Sequence, residues 1–150
     1  KVPVIVGIGN PVGRSLATAR LVNGGFDFSD AIVHPAAAIG PRVKLAIGVI
    51  VGSHTSITAD SSVGPHSHLH SGVVVSHDCM LGSYCLVGPR AALAGGVTLE
   101  DGVFLGVGVS VGPGVSIGNG SLVGAGASVV SDVAGNVIVA GVPARKLRDR

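Results

Sequence analysis

The chain has 150 residues, a formal charge of +2, 47% hydrophobic residues and only 3% aromatics. This composition fits one domain with a narrow aliphatic core. It lacks the basic stripe with interleaved aromatics that nucleic acid requires, and it has no run of about 18 uninterrupted apolar residues to span a membrane. Cys79 and Cys85 form neither a disulfide framework nor a close metal-binding spacing, which points to a reducing cytoplasm.

In chain order, KVPVIVGIGN reads as a strand, and its proline and glycines argue against a signal peptide. The first residue is Lys rather than Met, which suggests that something precedes it. RSLATARLVNGG reads as a short helix closing at Gly24 and Gly25. Together they make a piece of a βα unit over residues 1–38.

From Ile39 to Val133 a period of six holds without a slip. Every sixth residue from Ile39 to Val129 is Ile, Leu or Val, sixteen in sixteen, and four residues after each comes a small or β-branched residue such as Thr55, Ser67, Cys79 or Ala91. The two sets share one face of a short strand and should both point inward. Glycine fills the fourth place in half the hexads (Gly48, Gly72, Gly96 and others), as a turn with positive φ requires. This is the unit of a parallel β-solenoid over 39–134. After it, GNVIVAGVPARKLRDR carries a further strand, a break at Val142-Pro143 and a basic end, expected as a strand or short helix over 135–150.

The hexads resemble those of left-handed β-helix proteins, in which three hexads close one triangular coil. That resemblance implies an all-β solenoid, a left-handed parallel β-helix of about five coils. Residues eighteen apart then stack, giving a corner column Ala59-Asp60, His77-Asp78, Gly95-Gly96, Pro113-Gly114, Ser131-Asp132. An imidazole would face a bare glycine corner, with room for a ligand and with backbone N–H groups of the type that stabilises an oxyanion.

HSGVVVSHDCMLGSYCLVGPRAALAGGVTL, AIVHPAAAIG, VGAGASVVSDV and GVPARKL together resemble the bacterial sugar acetyltransferases that include sialic-acid O-acetyltransferases and UDP-amino-sugar N-acetyltransferases. The resemblance implies a homotrimer with acetyl-CoA as co-substrate between neighbouring prisms, no metal, and a sugar or nucleotide-sugar acceptor. It implies His77 as general base and Asp78 as its orienting partner. It further implies Gly95, Gly96, Val107 and Ala125 along the pantetheine groove, with Pro143, Arg145 and Lys146 toward the CoA phosphates. Residues 1–38 would be the tail of a sugar-nucleotide-binding region, with Asn10, Arg14 and His70 on the substrate. The chain departs from the family at Leu86, where relatives often carry a second histidine, and at His70, where asparagine is common.

The chemistry suits the choice, because an attacking amine or hydroxyl must lose a proton and imidazole titrates near neutral pH. Cys79 occupies the inward small-residue place and reads as inert core, so transfer should be direct. His34, His54, His66 and His68 read as solvated turn residues, and Arg145, Lys146 and Arg148 could equally be a solubilising tail. Two other classes stay open. The HSHLH cluster suggests a zinc enzyme like the β-helix carbonic anhydrases, and a solenoid can also serve as a non-catalytic scaffold.

Overall fold

The computed structural model describes residues 2–150. Two-residue strands alternate with four-residue turns, and strands eighteen residues apart pair in parallel: Ile50 with His68, Leu86 with Phe104, Val75 with Leu93. Three sheets result, the faces of a prism of about six turns. The first face runs from Ile32–Val33 through His68–Leu69 and Leu86–Val87 to Val137–Ala140. The second runs from Ala38–Ile39 to Ser128–Val129 and the third from Lys44–Leu45 to Ser116–Ile117. The first face thus extends beyond the sixteen hexads at both ends.

Both inward sets fill the core, and Val87, Val97, Leu105 and Val109 are fully buried. Each such side chain stabilises the fold by about 1.5–3 kcal/mol. At the open upper end Ile39 is exposed and Val43 and Leu45 are half-buried, because no further coil covers them. Where the inward place holds a hydroxyl or thiol, the side chain donates to a carbonyl fifteen residues on, or thirteen at Ser121 where the last coil closes. Thr55 reaches His70 O at 2.8 Å, Ser67 reaches Gly82 O at 2.7 Å and Cys85 Sγ reaches Glu100 O at 3.1 Å. These small polar groups are therefore satisfied in a dry interior.

From Arg42 to Gly126 the fourth place of the hexad is left-handed whatever residue fills it. Gly48, Gly72 and Gly96 have φ near +70°, and so do Asp60 (62°), Asp78 (58°), Tyr84 (57°) and Arg90 (58°) in their turn. Each non-glycine there costs about 1–2 kcal/mol, with Asp tolerated best.

The expected N-terminal strand reduces to a single parallel bridge between Val4 and Phe28. The helix, α1, spans Pro11–Asn23 and starts earlier than the apolar pattern suggests, because Asn10 caps it: its Oδ1 accepts from Gly13 N at 2.9 Å, and Pro11 follows. It ends at Gly24 and Gly25 as expected. Helix α1 buries Pro11, Arg14 and Thr18 against the prism while Val12, Leu16 and Val22 stay exposed.

The C-terminal extension is a hairpin and not a helix. Gly141 (φ 97°) reverses the chain, and Arg145–Asp149 pairs antiparallel with Val137–Ala140. The reason is that Val137–Ala140 is the last parallel strand of the first face and offers a free edge of backbone donors and acceptors. Among the described residues no helix is long and apolar enough to cross a membrane.

Candidate active site

His77 and Asp78 form the turn between the second and third faces, between strands Val74–Val75 and Met80–Leu81. The left-handed backbone at Asp78 swings its carboxylate back onto its neighbour, so that His77 Nδ1 and Asp78 Oδ2 lie 2.7 Å apart. Both side chains are about two-thirds exposed. A carboxylate can only accept, so Nδ1 donates and a neutral ring carries its lone pair on Nε2.

That free edge of the ring lies over the next coil. A β-carbon at Gly95 would fall 2.6 Å from both Cε1 and Nε2 of His77, so the ring occupies this place because Gly95 has no side chain. Of the two glycine N–H groups at this corner, Gly96 N is taken up by the ladder, donating to His77 O at 2.9 Å. Gly95 N has no partner among the described residues. The expected open N–H groups of this corner thereby narrow to Gly95 N.

The column continues in both directions. One coil before His77, Asp60 accepts two hydrogen bonds from Arg42, at 2.5 and 2.6 Å, and this guanidinium holds the Asp60 carboxyl below the usual carboxylate range. Three coils beyond His77, Ser131 and Asp132 line a groove of about 450 Å³ together with Arg145 and Lys146. The basic end therefore sits at the foot of the His77 corner, about 15 Å away at one strand spacing per coil. Arg145 donates to Ala144 O, Lys146 pairs with Asp149 at 2.6 Å, and Pro143 is exposed in the hairpin turn.

Val107 and Ala125 are exposed, but on the corner between the first and second faces. They flank the second face on the side opposite His77. Within one chain they are a full side of the triangle away, and two and three coils further along the prism.

The expected substrate residues lie elsewhere again. Asn10 caps α1 in front of the first face. His70 is exposed at the end of His68–Leu69, beside a cleft of about 200 Å³ lined by Gly7, Gly52, His68 and Ser71. Arg14 is completely buried, with both terminal nitrogens spent on carbonyl oxygens. Buried in this way it offers no surface to a substrate, which corrects its expected role as a direct contact. The chain thus brings together His77, Asp78, Gly95 and Gly96, with Arg145 and Lys146 below them, and keeps Asn10 and His70 on another side.

The histidine cluster divides by environment. His66 and His68 are buried rather than solvated, which corrects the expectation for both. His66 stacks on Tyr84 (centroids 5.3 Å apart) and meets the edge of Phe28. Burial first, then the charge of Arg14, pushes the His68 pKa down to about 4. Among the described residues no three His, Cys, Asp or Glu side chains gather as a metal ion would need. Cys79 is fully buried with Sγ 3.2 Å from Ala94 O, and burial pushes its thiol pKa up; burial pushes that of Cys85 up to about 11.

His68 was legible in principle. The outward places of the first face read Ile50, His68, Leu86, Phe104 and Leu122, against Ser56, Val74, Ala92, Ser110 and Ser128 on the second. An outward row that apolar indicates a covered face.

Residues 96–131 match the family model of the bacterial transferase hexapeptide (six repeats). No curated protein matches the chain. Among solved structures it is similar to a histidine-to-asparagine variant of perosamine N-acetyltransferase from Caulobacter crescentus, in complex with CoA and GDP-perosamine. Identity there is 41%, covering 97% of this chain and 69% of that one, with a TM-score of 0.93. WeeI from Acinetobacter baumannii AYE gives 29%, 97%, 70% and 0.93 in the same order. The acetyltransferase domain of PglB from Neisseria gonorrhoeae FA1090, in complex with acetyl coenzyme A, gives 28%, 97%, 70% and 0.92.

Proposed function

The chain belongs to the hexapeptide-repeat sugar acetyltransferases, and from that premise we propose that it acetylates the amine of a nucleotide-linked amino sugar, with His77 as general base. Acetyl-CoA supplies the acyl group as a thioester. The acceptor class follows from the GDP-perosamine held by the Caulobacter relative. A sugar hydroxyl would be served by the same base.

The observation that carries the reading is the His77–Asp78 pair over Gly95. With Nδ1 engaged by Asp78, His77 takes the acceptor's proton at Nε2 as the new bond to the acetyl carbon forms. Asp78 holds the ring orientation and supports the imidazolium. The carbon–sulfur bond then breaks, and His77 returns the proton to the departing sulfur, so charge and atoms balance without an acyl-enzyme. Gly95 N is the available donor for the carbonyl oxygen. Arg145 and Lys146, at the foot of the same corner, provide positive charge for phosphates.

The site residues occupy opposite edges of the second face, which favours a closed ring of copies. Head-to-tail packing sets the His77 corner of one protomer against the Val107 and Ala125 corner of the next, and a threefold rotation closes it as a homotrimer. In the same arrangement residues 1–38, with Asn10 and His70, serve the acceptor from a neighbouring copy. Two unpaired thiols and this pair of substrates suit the cytoplasm.

The test is thiol release from acetyl-CoA in the presence of GDP-perosamine and of UDP-, dTDP- and CMP-linked amino sugars. Wild type should turn over at least one of them. His77→Ala should lower kcat by about two to four orders of magnitude while keeping the oligomer and the far-ultraviolet spectrum. Unchanged turnover in that variant rejects His77 as the base.

A further inference from the structure

Helix α1 docks on the prism by its polar stripe. It buries Pro11, Arg14 and Thr18, half-buries Leu21 and leaves Val12, Leu16 and Val22 to solvent, so apolar burial alone holds it weakly. Among the described residues, the buried side-chain nitrogens and oxygens without a hydrogen-bond partner are Arg14 Nε, Thr18 Oγ1, Ser29 Oγ, His66 Nδ1 and His68 Nε2. All of them belong to the N-terminal segment or to the two histidines beside it. A seam this poorly satisfied needs a strong tie.

Arg14 is that tie. Nη1 donates to Ile8 O at 2.5 Å and Gly9 O at 2.9 Å, and lies 3.3 Å from His68 Nδ1. Nη2 donates to Tyr84 O at 2.9 Å and Cys85 O at 3.0 Å. One planar group therefore fastens the turn before α1 to a corner seventy residues later, a geometry that the guanidinium fork suits and an ammonium does not. Burial lowers the Arg14 pKa to about 10, which leaves the group charged at neutral pH. The turn it fastens carries Gly7 on one wall of the cleft whose other wall is Gly52, His68, His70 and Ser71.

We infer that Arg14 is a positioning residue for acceptor binding: it touches no substrate, and it holds the Gly7–Asn10 turn as one wall of the His70 cleft. This rests on the transferase reading above. Acceptor affinity depends on Arg14, and acetyl-CoA affinity, set at the His77 corner and the hairpin, does not.

The full chain is compared as wild type, Arg14→Lys and Arg14→Gln, with GDP-perosamine as the probe acceptor. Arg14→Gln should raise the KM for GDP-perosamine by about tenfold or more while the KM for acetyl-CoA stays within about twofold. Arg14→Lys should fall between, since one nitrogen cannot serve four carbonyls. In hydrogen exchange, Arg14→Gln should lose protection over residues 11–23 and keep it over 92–123, so a general loss of fold is separable. Both KM values moving together, neither moving, or unchanged protection of α1 overturns the role of Arg14. If wild type does not turn over GDP-perosamine, the same KM comparison is made with whichever UDP-, dTDP- or CMP-linked amino sugar it does turn over. Wild type that fails to bind acetyl-CoA in calorimetry defeats the transferase reading and this inference with it. Normal acetyl-CoA binding with an unsplit KM pair defeats the inference alone.

Discussion

The ring of His77 rests against the α-carbon of Gly95, one coil along the same corner, in space that a single methyl group would fill. Gly95→Ala should therefore displace the imidazole while the prism stays folded. Activity should drop by about ten- to a hundredfold, the cost of misplacing a reacting group by about 1 Å. Gly64 gives the contrast, because a β-carbon there would fall 2.6 Å from the backbone carbonyl carbon of Gly82. Gly64→Ala should lower stability by about 1–3 kcal/mol. Steady-state kinetics beside thermal melts of the two variants separate the effects, and equal losses of stability would contradict the assignment of Gly95 to the site.

Asp78 combines a left-handed backbone with the bond to His77 Nδ1. Asn tolerates the same backbone, so Asp78→Asn isolates the charge. We expect kcat to fall by about one to two orders of magnitude with the melting temperature unchanged. A variant as active as wild type would reduce Asp78 to a turn residue.

Both thiols are fully buried, and burial raises the pKa of each. A disulfide reagent at neutral pH should label neither Cys79 nor Cys85 in the folded protein and both in denaturant. Cys79→Ser should keep turnover within about twofold, as direct transfer requires. Loss of activity in that variant, with the fold intact, would point to an acyl-enzyme.

The pH dependence of N-terminal docking follows from His68. Its pKa is held at about 4 in the folded chain against 6.5 when unfolded, by burial and then by Arg14. Between these values the unfolded state binds more protons, so the stabilisation is complete above about 6.5 and is lost as pH falls toward 4. His66, lowered by burial as well, adds with the same sign. Protection factors over α1, taken against the intrinsic exchange rate at each pH, should fall across this window, and His68→Leu should flatten the trend. Acceleration toward alkaline pH beyond the intrinsic rate would contradict it.

The solenoid and its corner column were legible because they are periodic. A strict interval of six places each inward residue, and the resemblance to coils of three hexads supplies the interval of eighteen that sets His77 over Gly95 before any coordinate is known. Arg14 carried no such signal: its partners are backbone carbonyls, which every residue has, and the Tyr84 carbonyl lies seventy positions away. A charged residue on a helix reads as solvated until tertiary packing buries it. The C-terminal hairpin was hidden for a similar reason. RKLRD has the composition of a soluble tail, and it forms a strand because Val137–Ala140 leaves an edge to pair with.

The unbroken spacing also quantises the length of the molecule. One residue inserted between 39 and 133 would turn every later inward side chain off the core, whereas eighteen added or removed leave each neighbour on its old partner. Excising residues 103–120 would lift the basic foot one storey toward His77, about 4.8 Å. The distance between reacting group and phosphate anchor is therefore counted in whole storeys, and a co-substrate with a longer or shorter arm would be accommodated by changing their number.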